Sequence, residues 1–155
     1  MCPTDVAMSR RQVGAEVPMV ASELTDNSIY TGLFGSIDSA RMASITESLI
    51  QLADERQVQI AIIDLSNVDA IDSSVAAYMV KLGKTLELVG VSSVFCGISG
   101  PLASTMIGAG LDLGRFRAVR DLKAALQYSF EATGYRLVRM DPHNNGSNAV
   151  RKDPG

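Results

Sequence analysis

The sequence predicts an α/β domain whose largely parallel sheet opens on a β-hairpin and is flanked by four helices. Three observations carry that expectation. The apolar runs 59–65 and 91–96 have strand length and are rich in Ile and Val. Between and around them, apolar residues recur at three- and four-residue steps over helix-length stretches. The two patterns alternate as β-β-α-β-α-β-α-(β)-α, the order that produces parallel strands joined by helical crossovers. A chain of 155 residues with 46% hydrophobic content is one domain with a single core.

Residues 1–16 mix Pro, Ser, Arg and Gln without periodicity and are expected to be a flexible lead-in. The domain proper is expected over 17–133. Val17 to Ala21 forms a first short strand, with Pro18 acceptable at its start. Glu23 to Asn27 reads as a turn, and Ile29 to Phe34 as the second arm of a hairpin. Ser39 opens the first helix, whose Met42, Ile45, Leu49 and Leu52 share a face, and residues 54–57 close it in polar side chains.

Gln59 to Leu65 is the central strand. An acidic turn through Asp69 and Asp72 leads into the second helix, Ser73 to Leu88. Its inward stripe is Val75, Met79, Leu82, Leu86 and Val89, and Gly90 supplies a left-handed stop. Val91 to Cys96 is the next strand, ended by Gly97. Pro101 suits the first turn of a third helix, Leu102 to Ala109, stopped by Gly110. Leu111 to Leu113 and Phe116 to Val119 are short extended pieces. Asp121 caps a fourth helix with Leu122, Ala125, Leu126 and Phe130 inward and Gly134 at its end. Residues 134–155 form a C-terminal extension. Tyr135 to Met140 reads as either a further strand or a docked arm, and 141–155 as a disordered tail.

Several function classes are disfavoured. Charged residues make up 20% of the chain and the net charge is −3, without the basic patch of a nucleic-acid binder. No apolar run approaches the roughly 20 residues of a membrane span, and Met1 to Arg11 lacks a signal-peptide core. Cys2 and Cys96 make no disulfide framework and fit a reducing compartment, so the expected location is cytoplasmic.

The one histidine, His143, lies in the expected tail, which leaves nucleophilic catalysis without a base. No Cys/His spacing suits zinc, and neither a metal nor a cofactor is expected. Leu82-Gly83-Lys84-Thr85 resembles the end of a phosphate-binding loop, but Tyr78 stands where that loop needs glycine and the segment falls mid-helix. Asp69 and Asp72 lack an acid–base partner nearby and read as turn and cap residues. No active site is expected.

What remains is a repeated step. Ile37-Asp38-Ser39 and Ile71-Asp72-Ser73 each precede a helical pattern. The plain reading is that Ser39 and Ser73 are helix caps. The functional reading is that the same placement exposes their hydroxyls to a kinase, with Ser74, inside the first turn, as a lesser acceptor. A phosphate at Ser73 would face the positive end of the helix dipole and leave the fold intact. Beside Asp69 and Asp72 it would add about −1.5 to −2 charges to an acidic patch and so alter docking there.

Residues 29 to 130 resemble the STAS domain of anti-sigma-factor antagonists, and more closely its stressosome type. The carrying pieces are Thr31 to Arg41, Ile62 to Val68, Ile71 to Ala76, Gly97-Ile98, Ala103, Thr105 and Gly110 to Leu113. Ser73 stands at the family's phosphorylation position, and Ser39 at the additional site of the scaffold and sensor subtype. Both positions are often Thr in that subtype, whereas Ser73 matches the simple antagonists. The loop after Ile98 usually reads Arg/Gln-Pro in the family, and here it reads Ser99-Gly100-Pro101.

The resemblance implies a non-enzymatic, phosphorylation-controlled module of a bacterial stress-response pathway. The partners it implies are a serine/threonine switch kinase of the anti-sigma type, a PP2C-like phosphatase and other STAS chains in a large assembly, with no nucleic acid and no membrane. Partner contact would involve Asp38, Ser39, Asp69, Asp72, Ser73 and Ser74. The alternatives are a simple antagonist acting as a monomer or dimer, and a module binding a nucleotide or lipid.

Overall fold

The computed structural model describes residues 17–110, 112, 114 and 116–141; the expected lead-in 1–16, the tail from 142, Cys2, His143, Leu111 and Leu113 lie outside the described residues. Its elements are β1 (Met19–Thr25), β2 (Ser28–Ser36), α1 (Ser39–Arg56), β3 (Ile60–Ala70), α2 (Ser73–Leu88), β4 (Ser92–Cys96), α3 (Gly100–Gly108), β5 (Arg117–Val119) and α4 (Leu122–Ala132). The strands form one sheet in the order β1-β2-β3-β4-β5. β1 and β2 are antiparallel and every other neighbour pair is parallel. The expected mixed, mostly parallel α/β sheet opened by a hairpin is the observed one.

Strand alternation divides the core. Ile29, Leu33, Ala61, Ile63, Leu65 and Phe95 point to one face and pack under α1, α2 and α3. Ile60, Ile62, Val94 and Cys96 point to the other, where Ala125 of α4 covers them. The central strand is apolar because both its faces are covered.

The hairpin turn is tighter than expected. β1 continues to Thr25, so the turn shrinks to Asp26 and Asn27. Thr25 explains it: its hydroxyl lies 2.7 Å from that of Ser28 and accepts from the Asn27 amide at 3.2 Å.

β3 is longer than expected and carries Asp69, which therefore sits on a strand end and not in a turn. The extra length follows from β2, which stays paired with β3 up to Ser36 opposite Ala70, through register shifts after Gly32 and after Gly35.

The helical period places Val89 inside, whereas the structure leaves it 49% exposed. The Val91 amide bonds the Leu86 carbonyl at 2.9 Å and the Gly90 amide bonds Glu87 at 3.0 Å, with Gly90 at φ +82. This left-handed ending turns Val89 outward and puts Val91 in the core.

α4 buries Ala125 and Ser129, while Leu122, Leu126 and Phe130 are only half-buried. Residues 135–141 join neither a strand nor a helix, and Leu137, Val138 and Met140 are exposed.

Candidate functional site

The two Ile-Asp-Ser steps become neighbours because β2 and β3 are parallel and adjacent. Their ends are tied by the Ile37 amide donating to the Ala70 carbonyl at 3.4 Å. Beyond that tie both segments turn into helices at the same edge of the sheet. Asp38, Ser39, Asp69, Asp72, Ser73 and Ser74 are all brought there. Ser39 is half-buried and the other five are exposed.

The serines are not the caps. Asp38 caps α1, its carboxylate accepting from the Arg41 amide at 2.8 Å. Asp72 caps α2 in the same way through the Val75 amide at 2.9 Å. Both aspartates have extended backbone, with φ −99 and −96, which is the geometry a cap needs. Ser39 and Ser73 become the first helical residues, so their hydroxyls are released from capping. The amides of the first turn not taken by the aspartates remain at that edge. Arg41 folds back over the α1 turn and donates from Nη1 to the Ser36 carbonyl at 3.0 Å.

Sequence reasoning missed the support behind this edge. Asp64 is 5% exposed on the α4 side of the sheet. It accepts from the Tyr30 hydroxyl at 3.0 Å, the Ser66 amide at 2.9 Å and the Ser66 hydroxyl at 2.5 Å. Gly97, at φ +70, passes so close to Ser66 and Asp64 that a side chain has no room there. Its amide donates to the Arg120 carbonyl at 3.3 Å, which extends the knot from β2 to the β5–α4 turn. The signal was present as one carboxylate inside an Ile-rich strand, since a buried acid requires donors.

Burial, with Asp64 beside it, pushes the Tyr30 phenol and the Cys96 thiol each up to about 12, from ordinary values of 10.0 and 9.0. Folding therefore favours the neutral forms. That contribution is complete below the unfolded-state values and is lost as pH rises toward 12. Urea midpoints measured from neutral pH upward are expected to fall through this window. In Tyr30→Phe the fall should be shallower, after a loss at neutral pH of about 1 kcal/mol from the missing hydrogen bond.

Among the described residues no group of three His, Cys, Asp or Glu could hold a metal ion, and no helix is long and apolar enough to cross a membrane.

The five-stranded sheet, antiparallel at β1–β2 and parallel elsewhere, with two helix starts side by side, defines the class of domain by its fold. The STAS domain model matches residues 20–121, and the chain belongs to that family. Among its relatives is the RsbT co-antagonist protein RsbRB of Bacillus subtilis, 32% identical over 120 residues, covering 77% of this chain and 43% of the relative. The co-antagonist RsbRA of the same organism is 27% identical over 115 residues, covering 74% and 42%. The chain thus spans less than half the length of these relatives. Of solved structures, a single-substitution variant of Moorella thermoacetica RsbS aligns with a TM-score of 0.64 at 21% identity, covering 76% of this chain and 97% of that one. The anti-sigma factor antagonist SpoIIAA in its unphosphorylated form aligns with a TM-score of 0.60 at 17% identity, covering 71% and 94%. These likenesses agree on the fold.

Proposed function

We propose that this chain is a non-enzymatic stressosome component that binds a serine/threonine switch kinase and releases it when Ser73, and secondarily Ser39, is phosphorylated. The observation that carries the reading is the pair of Asp-capped turns. Each presents a serine at the first helical position, and strand pairing sets both at one edge. The B. subtilis relatives are named as co-antagonists of RsbT, so an RsbT-type kinase is the first partner to test, with a PP2C-like phosphatase as the reversing enzyme.

The kinase would move the γ-phosphoryl group of ATP to the serine oxygen. The product at Ser73 would lie against the α2 amides, where a helix N-terminus stabilises negative charge by roughly 0.3–1 kcal/mol. Outward, it would meet Asp69 and Asp72 and repel an acidic partner surface. The switch is therefore electrostatic, acting on a surface that stays folded.

Intact-mass analysis after incubation with such a kinase and ATP tests the assignment. One phosphate is expected at Ser73 and a slower second at Ser39. Equal labelling of Ser73→Ala and the parent would overturn it. Ser73→Asp is expected to melt cooperatively within a few degrees of the parent, because its charge falls at a helix start. Loss of its cooperative transition would mean the residue is packed rather than presented.

A further inference from the structure

The two serine turns differ in one side chain. Arg41 is exposed and folds back past the start of α1, in the direction that long helical side chains take. Its Nη1 donates to the Ser36 carbonyl at 3.0 Å, so the guanidinium lies over the turn before the helix and not on its flank. That bond leaves most of its N–H donors unused, and Arg41 joins no ion pair among the described residues. The matching position in α2 is Val75, which is buried in the core, and the first turn Ser73-Ser74-Val75-Ala76 holds no cation.

We infer that Arg41 is a phosphate-holding residue: a phosphate on Ser39 is drawn onto its guanidinium, whereas one on Ser73 has no such counterpart. Given that both serines accept phosphate, as proposed above, the two marks are then unequal. Side chains two residues apart do not face each other on a regular helix, so an Arg41 lying on the flank could not serve. The fold-back removes that obstacle. Ser39 is the first helical residue, and a phosphate on its Oγ emerges at the end of α1 where the guanidinium already lies. Arginine offers a planar fork of N–H groups that matches two phosphate oxygens. The Ser36 carbonyl it would leave belongs to an exposed residue and can turn to water.

The acids do not make this difference. Asp38 stands before Ser39 as Asp72 stands before Ser73, each capping its helix. What remains is Arg41 at one turn against Asp69 at the other. A mark on Ser39 is partly neutralised and steadies its turn, and a mark on Ser73 is the one a docking partner meets.

The test uses the full chain with phosphoserine built in during translation, at Ser39 alone or at Ser73 alone, so that no kinase is required. Titration followed by phosphorus NMR reads the second ionisation of each phosphate, ordinarily near about pH 6. A cation favours the dianion and lowers that value, while neighbouring carboxylates raise it. The Ser39 phosphate is expected to ionise about half a pH unit or more below the Ser73 phosphate, roughly a threefold change in acid constant. Arg41→Gln is expected to raise the Ser39 value by that amount and to leave the Ser73 value unchanged. Arg41→Lys, which keeps the charge, is expected to hold the Ser39 value below that of Arg41→Gln. Because Arg41 is exposed, both unmodified variants should keep the cooperative melt of the parent. A Ser39 phosphate that titrates identically in the parent and in Arg41→Gln overturns the pairing, and so does an equal shift at both serines. Either result leaves release through Ser73 standing, and a chain that no switch kinase binds leaves these titrations as they are.

Discussion

Gly97→Ala is expected to destabilise the chain by about 2–5 kcal/mol, seen as a lowered urea midpoint with an unchanged slope. Two costs combine. Gly97 sits at φ +70, a left-handed conformation that disfavours any Cβ by roughly 1–2 kcal/mol. A Cβ there would also collide with the Ser66 hydroxyl and lie 2.8 Å from the Ser66 amide and 2.9 Å from Asp64 Oδ1. Ser66 and Asp64 cannot yield without breaking the hydrogen bonds that keep a buried carboxylate satisfied. Gly90→Ala is the internal control, because φ is +82 there and a Cβ would meet nothing within 4 Å. It should show the conformational cost alone. Equal, mild effects at both glycines would mean that the Asp64 knot does not resist distortion.

Ser73→Ala is expected to abolish the ATP-dependent release of the kinase while leaving the melting temperature unchanged. The hydroxyl contributes little to the fold, because Asp72 rather than Ser73 holds the Val75 amide and Ser73 is exposed. Its phosphate would contribute much to the surface. Repulsion across an interface by roughly 1.4–3 kcal/mol weakens binding by about ten- to a hundredfold. In the parent, affinity for the kinase should fall by that factor after incubation with ATP. In Ser73→Ala it should stay high, with Ser39 producing at most a smaller change.

Much of the fold was readable because its signals are local. The Ile-rich run at 60–65, the apolar stripes of α1 and α2, and Gly90 and Gly134 as helix stops need no knowledge of distant residues. What escaped was non-local. The five residues beyond Leu65 look polar enough for a turn, and they are strand because β2 continues beside them. Val89 fits the helical period, but the left-handed turn at Gly90 ends that period one residue earlier and gives the core position to Val91. The two serine turns were legible as a repeated tripeptide. Their meeting at one edge is a property of strand order, and the division of labour between Asp as cap and Ser as presented hydroxyl is set by one residue of helix start. The Asp64 knot joins Tyr30, Ser66 and Gly97 from three strands and their edges, so no window of sequence contains it.

Phosphorylation at Ser73 is proposed to change binding without changing folding. The direct test is to measure kinase affinity and thermal melting on the same two samples, unmodified chain and chain carrying one phosphate at Ser73 by mass. The expected result is a drop in affinity of tenfold or more with melting temperatures that agree within a few degrees. Equal affinities, or a loss of affinity accompanied by loss of the cooperative melt, would contradict it.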